Sequence, residues 1–182
     1  MRNAEGQAPM KKLTTLLALG GFALALLRPV PAQSFFGGLP IDGIRCDTSE
    51  GIALHIHAHL EFFDRGRVRS LPADIGIPTT LPPCLYWMHT HDSSGIVHIE
   101  SPIKRAFTLG EFFDIWGQSL SWSAAGPLRA ARGSRLRFIV DGRIWKGRSP
   151  RLILLHNHED ITIEVGPPFR AQRPFNWSQA QM

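Results

Sequence analysis

All eight histidines of this 182-residue chain fall in three short stretches, and every stretch contains His-x-His. They are His55-Ile-His57-Ala-His59, His89-Thr-His91 followed by His98, and His156-Asn-His158. Residues i and i+2 of a strand point to the same face, about 6–7 Å apart at their Cα atoms. His-x-His on a strand therefore presents two imidazoles in one direction, and both can converge on one ion. A lone histidine on a strand is usually a satisfied or exposed residue. Three such patterns with no histidine outside them are hard to assign to packing and point to metal binding.

The rest of the chain reads as a mostly-β domain with one short helix, arranged as a sandwich, a small barrel or an open sheet. Ile52 to Phe63 alternates as a strand, Asp64-Arg-Gly66 is a turn, and Val68 to Leu71 returns. Four prolines make residues 72–84 a loop. Leu85 to His91 and Ile96 to Glu100 form a hairpin. With its turn centred on Ser93-Ser94, His89 faces His98 and Trp87 faces Glu100. One face then carries Trp87, His89, His91, Ile96, His98 and Glu100, and the other Tyr86, Met88, Thr90, Val97 and Ile99. Thr108 caps a helix near 108–117, with Glu111 completing a capping box. Arg135 to Val140 and Arg143 to Lys146 pair around Asp141-Gly142. Leu152 to Leu155 and Ile161 to Val165 are two further strands.

His89, His91 and His98 form a three-imidazole platform with coordination positions left open. On the first strand His55, His57, His59 and Glu61 share a face. His55 and His59 are about 13 Å apart there, too far for one ion to take all three easily. His57 and His59 are expected to approach the hairpin, with His55 peripheral or serving a second ion. The expected metal ligands are thus His57, His59, His89, His91 and His98. Imidazole-rich ligation with few carboxylates suits a transition metal, copper or zinc first and iron also compatible, and disfavours calcium and magnesium. Glu61 and Glu100 are the acids placed to move protons if the centre is catalytic. Asp92, before Ser-Ser-Gly, reads as a turn residue.

The N-terminus is a leader by its chemistry. Lys11-Lys12 precedes an apolar run from Leu13 to Leu27, and Arg28-Pro-Val-Pro-Ala32 follows. A run of fifteen residues is too short for a membrane span and fits a signal peptide over 1–32, cut after Ala32; an uncleaved anchor is the alternative. Of the net charge of +5, +3 belongs to that segment. Residues 33–166 remain as a single metal-binding domain and 167–182 as a Pro-rich C-terminal tail. No dense basic patch with interleaved aromatics is visible, so nucleic acid is not an expected partner. Neither is a membrane once the leader is removed. Cys46 and Cys84, the only cysteines, pair as a disulfide in an oxidising compartment. A loop of roughly 38 residues closed this way contributes about 2–4 kcal/mol. Two thiolate metal ligands are the other reading.

The stretch Cys84-Leu-Tyr-Trp-Met-His-Thr-His-Asp-Ser-Ser-Gly-Ile-Val-His-Ile-Glu-Ser-Pro102 resembles a family of exported bacterial proteins of uncharacterised function. So do Phe107-Thr-Leu-Gly-Glu-Phe-Phe-Asp-Ile-Trp-Gly117 and the upstream His-x-His-x-His strand. The resemblance covers most of the mature chain and implies export to the periplasm or beyond as one domain, with no mechanism attached. The expectation from the residues is a periplasmic or secreted protein that binds, buffers or delivers copper or zinc. Two other readings are a metalloenzyme activating water or oxygen, and a structural metal in an interaction domain.

Overall fold

The computed structural model describes residues 38–79, 81–170 and 173–180. The expected signal peptide lies outside them. In chain order the elements are β1 (Cys46–Asp47), β2 (Leu54–Asp64), β3 (Arg67–Arg69), β4 (Leu85–Tyr86), β5 (Met88–His89) and β6 (Ile96–Ser101). There follow α1 (Leu109–Trp116), β7 (Ala124–Ala125), β8 (Leu128–Arg129), β9 (Arg137–Val140), β10 (Arg143–Ile144) and β11 (Glu159–Val165). Seven strands make one open sheet in the order β10-β9-β11-β2-β6-β5, with β3 also paired to β2. The fold is mostly β with one short helix, as expected. Among the described residues no helix is long and apolar enough to cross a membrane.

The long strand β2 organises the sheet. Along one edge it pairs parallel with β11, from Ala58↔Glu159 to Asp64↔Val165. Along the other it pairs antiparallel first with β6 and then with β3. Its even-numbered side chains Ala58, Leu60 and Phe62 join Val97, Ile99, Ile161 and Ile163 in the core, against Leu109, Phe112 and Phe113 of α1. Burial of a side chain of this size contributes about 1.5–3 kcal/mol, so this face dominates the fold's stability. The odd-numbered histidines are left on the opposite face.

The helix begins at the expected cap. Thr108 Oγ1 accepts from the Glu111 amide at 3.2 Å, and Glu111 Oε2 accepts from the Thr108 amide at 2.7 Å. Gly117 ends it in the left-handed region. Asp141 and Gly142 both take positive φ, the form a two-residue hairpin turn requires.

Two expectations are corrected. Leu152 to Leu155 is not a strand: Ser149 caps a 3-10 turn over Pro150–Leu152, and only Leu154 makes an isolated bridge, to Thr108. Proline at the first position of that turn presets its φ and cannot donate to a ladder. Trp87 does not share the histidine face. Its carbonyl still pairs with the Glu100 amide at 2.7 Å, but its ring packs on Phe107 in the core and its Nε1 donates to Asp47 Oδ2 at 2.7 Å. The arm formed by β4 and β5 changes partner at this residue, from β1 to β6, and the regular alternation is interrupted there.

Two devices hold that arm. The Cys46–Cys84 disulfide ties β1 to the start of β4, with Cα atoms 5.4 Å apart. The preceding loop then covers the outer edge of the arm. Tyr86 N–H donates to the Gly76 carbonyl at 2.8 Å, and Thr90 N–H to the Ile75 carbonyl at 3.0 Å. Gly76 sits at φ +75°, where a Cβ would lie 2.5 Å from the Met88 carbonyl oxygen. An open sheet edge is thereby closed by a short strand and a loop.

Candidate metal centre

The pairing register decides which histidines meet. His57 stands opposite His98, and His98 opposite His89, so three strands place three imidazoles in one row across the sheet. The same register puts His55 opposite Glu100 and His59 opposite Ile96.

Four donor atoms form a closed circuit at one end of this row. His55 Nε2 is 3.2 Å from His57 Nε2, which is 3.1 Å from His98 Nδ1. His98 Nδ1 is 3.2 Å from Glu100 Oε1, and that oxygen is 3.2 Å from His55 Nε2. Three ring nitrogens carry at most three protons, and an ionised carboxylate carries none. The four edges therefore cannot all be hydrogen bonds, whereas one cation inside the circuit would engage all four donors. Nitrogens at 2.0–2.1 Å from an ion stand about 3.3 Å apart in a tetrahedron and about 2.9 Å in a square. The observed edges lie between the two.

A second set shares two members with the first. His89 Nε2 and His91 Nε2 are 3.3 Å apart, and their rings flank His98 at 5.4 and 4.5 Å between centroids. Two groups of side chains could thus hold a metal ion: His55, His57, His98 and Glu100, and His89, His91, His98 and Glu100. In each, the donor atoms all lie within 4.8 Å of one another.

The surroundings set the protonation of these donors. His89 Nδ1 donates to the Tyr86 carbonyl at 2.9 Å, which fixes the tautomer and leaves the Nε2 lone pair facing His91. Burial pushes His89 down to about 4 and, with the neighbouring His57, His98 down to about 3. Burial also lowers His57. All three are therefore neutral near pH 7, with lone pairs available. Burial first, and then the Glu50 carboxylate, raises Glu100 to about 7. Glu100 Oε2 is buried and accepts from no N–H or hydroxyl among the described residues, and the Glu100 carboxyl hydrogen-bonds that of Glu50. His57, His89, His98 and Glu100 are all buried, while the side chains of His55 and His91 are 55% and 48% exposed.

Of the residues expected to bind metal, the fold brings His57, His89, His91 and His98 together. It adds His55 and separates His59. The His59 Nδ1 donates to Asp160 Oδ1 at 2.8 Å, and its ring stacks on Phe175 at 3.8 Å. It lines a cavity of about 520 Å³ with Glu61, Asp92, Ser94 and Arg173. Glu61, raised by burial, accepts from Thr162 Oγ1 at 3.1 Å and belongs to neither metal-capable group. Glu100 belongs to both. Asp92 accepts from the Ser94 amide at 2.8 Å, as a turn residue does.

The third stretch braces the first. Asn157 Oδ1 accepts from the His57 amide at 3.1 Å, and His158 N–H donates to the His57 carbonyl at 2.7 Å. The His156 ring contacts Glu159 at 3.2 Å, and the His158 ring stacks on Trp177. Sequence reasoning missed Glu50, whose Oε1 lies 3.9 Å from His91 Nε2. It sits in a connecting segment with no motif around it.

No family model matches the chain. No curated protein and no solved structure matches it either.

Proposed function

We propose that this is an exported transition-metal-binding protein that holds copper or zinc and serves in binding, buffering or delivery. The closed circuit of three imidazole nitrogens and one carboxylate oxygen carries this reading. Its edges fit tetrahedral zinc or tetragonal copper, and its nitrogen-rich donors favour both over calcium or magnesium. One exposed imidazole in each group supports exchange. A metal that only locks a fold is normally enclosed by its ligands. This fold already has a disulfide and an apolar core that hold β1, β4 and β5 in place without an ion. The disulfide also fits an oxidising compartment and so supports export.

The test is elemental analysis of the chain purified without a histidine tag from its native compartment. One or two equivalents of a single transition metal are expected. Zinc would direct the next assay to hydration or hydrolysis, and copper or iron to redox or delivery. Metal-free protein that also takes up neither added copper nor added zinc would overturn the reading.

A further inference from the structure

We propose that the centre holds two adjacent ions rather than one, bridged by Glu100, with the second ion bound more weakly than the first. This rests on the metal-binding reading above and specifies its stoichiometry and order of loading.

The two compact groups share His98 and Glu100, and no compact group among the described residues unites His55 and His57 with His89 and His91. Ligands of one ion, each at 2.0–2.2 Å, are at most about 4.4 Å apart. The two pairs of imidazoles therefore address two positions. A carboxylate offers two oxygens, and the two of Glu100 are unlike each other. Oε1 belongs to the circuit with His55 and His98. Oε2 is buried and accepts from no N–H or hydroxyl among the described residues, and the Glu100 carboxyl meets that of Glu50 in a hydrogen bond that an ion between them would replace.

The positions differ in their donors. The first has the Nε2 atoms of His55 and His57, His98 Nδ1 and Glu100 Oε1, a complete set of four. The second has His89 Nε2, His91 Nε2, the remaining oxygen of Glu100 and the ring of His98, whose Nδ1 is already engaged in the first. With that nitrogen committed, the further donor within reach is Glu50, 3.9 Å from His91 and half exposed. A complete, mostly buried set binds more tightly than one that must recruit an exposed side chain, since ordering that side chain opposes binding. The first ion is thus the retained one, and the second is the one poised for exchange.

The experiment titrates the untagged chain with Cu(II) against a competing chelator, with stoichiometry read by native mass spectrometry and adjacency by electron paramagnetic resonance. Two steps are expected, separated by tenfold or more in affinity. At two equivalents the spectrum should be broadened by coupling between the ions. The double variant Glu50→Gln/His91→Ala should lose the weaker step and retain the tighter one. His55→Ala/His57→Ala should lose the tighter step instead. Near-ultraviolet circular dichroism of each variant establishes that it is folded. A wild-type chain that takes up only one equivalent, undiminished in Glu50→Gln/His91→Ala, overturns the two-ion centre and leaves the metal-binding reading standing. Two equivalents without coupling overturn the bridge. No uptake at all overturns both the inference and the reading beneath it.

Discussion

His57 and His59 lie two residues apart on one face of β2, yet they meet opposite surroundings. The ring of His57 faces His55 and His98, nitrogen to nitrogen. The ring of His59 is tied by Asp160 and covered by Phe175. Strand, face and residue type are the same at both positions. The cross-strand neighbour differs: His98 beside one and Ile96 beside the other. A histidine's chemistry is thus set by what the register brings to it. One end of the face gathers donors that could hold a cation, and the other is a hydrogen-bonded, aromatic-covered contact.

The largest expected break in this contrast is His98→Ala. It removes the imidazole common to both metal-capable groups and should weaken metal binding by about 100-fold or more, since even the outer partners of metal ligands are worth 10–100-fold. His59→Phe keeps the ring against Phe175 and should leave metal affinity within about threefold. Isothermal titration with zinc compares the two. Loss of affinity in His59→Phe equal to that in His98→Ala would erase the distinction.

Thermal unfolding gives a second measure. With free metal at 100 times Kd, the folded chain gains about 2.7 kcal/mol, which for this chain length raises Tm by about 5–10 °C. Chelation should reverse that rise in the wild type and in His59→Phe, while His98→Ala should show no rise to reverse.

Acid sharpens the comparison further. The metal-free fold depresses His89 to about 4 and His98 to about 3 from an ordinary 6.5, and lowers His57 as well. As pH falls through 6.5 the unfolded chain takes up protons that the folded chain refuses, so stability is lost on acidification toward those values. Glu100, raised from 4.5 to about 7, works in the opposite direction, because only the folded chain holds that proton between the two values. Glu61 and Glu159, also raised by burial, act as Glu100 does, but among these carboxyls only Glu100 shifts as far as His89 and His98 do, so stability should rise from pH 5 to pH 7. Urea midpoints at the two pH values check this. His98→Ala should flatten the difference, and His59→Phe should not.

The smallest effect belongs to the aromatic-covered end. His59→Phe leaves Asp160 Oδ1 without its imidazole donor, a cost of about 1–2 kcal/mol in the same urea experiment.

Much of this was legible in the residues. The alternation of β2 and the apolar set Met88, Val97 and Ile99 define faces whatever the strands pair with. Thr108 with Glu111, and Asp141-Gly142, write their local structure directly. The pairing of His89 with His98 followed from the turn length. Trp87 was not legible from parity, because the arm changes partners beneath it. Leu152 to Leu155 was not legible either, because an apolar run of four fits a strand or a buried connection equally, and Ser149-Pro150 decides for the turn.

The choice of His55 over His59, and the arrival of Glu50, depended on more than the chain's own periodicity. Local sequence determines which side chains share a face, because the two-residue repeat of a strand is a property of its backbone. From this came a β protein with a histidine-lined face, a capped helix and one pair of cysteines. Which histidines on that face meet was decided only by tertiary structure, through the alignment of β2 with β6 and the 156–159 turn that holds the His57 backbone. A shift of one strand by two residues keeps every side chain on its face and changes every neighbour across the sheet. Local periodicity is indifferent to such a shift, and only the whole packed fold selects among the alignments.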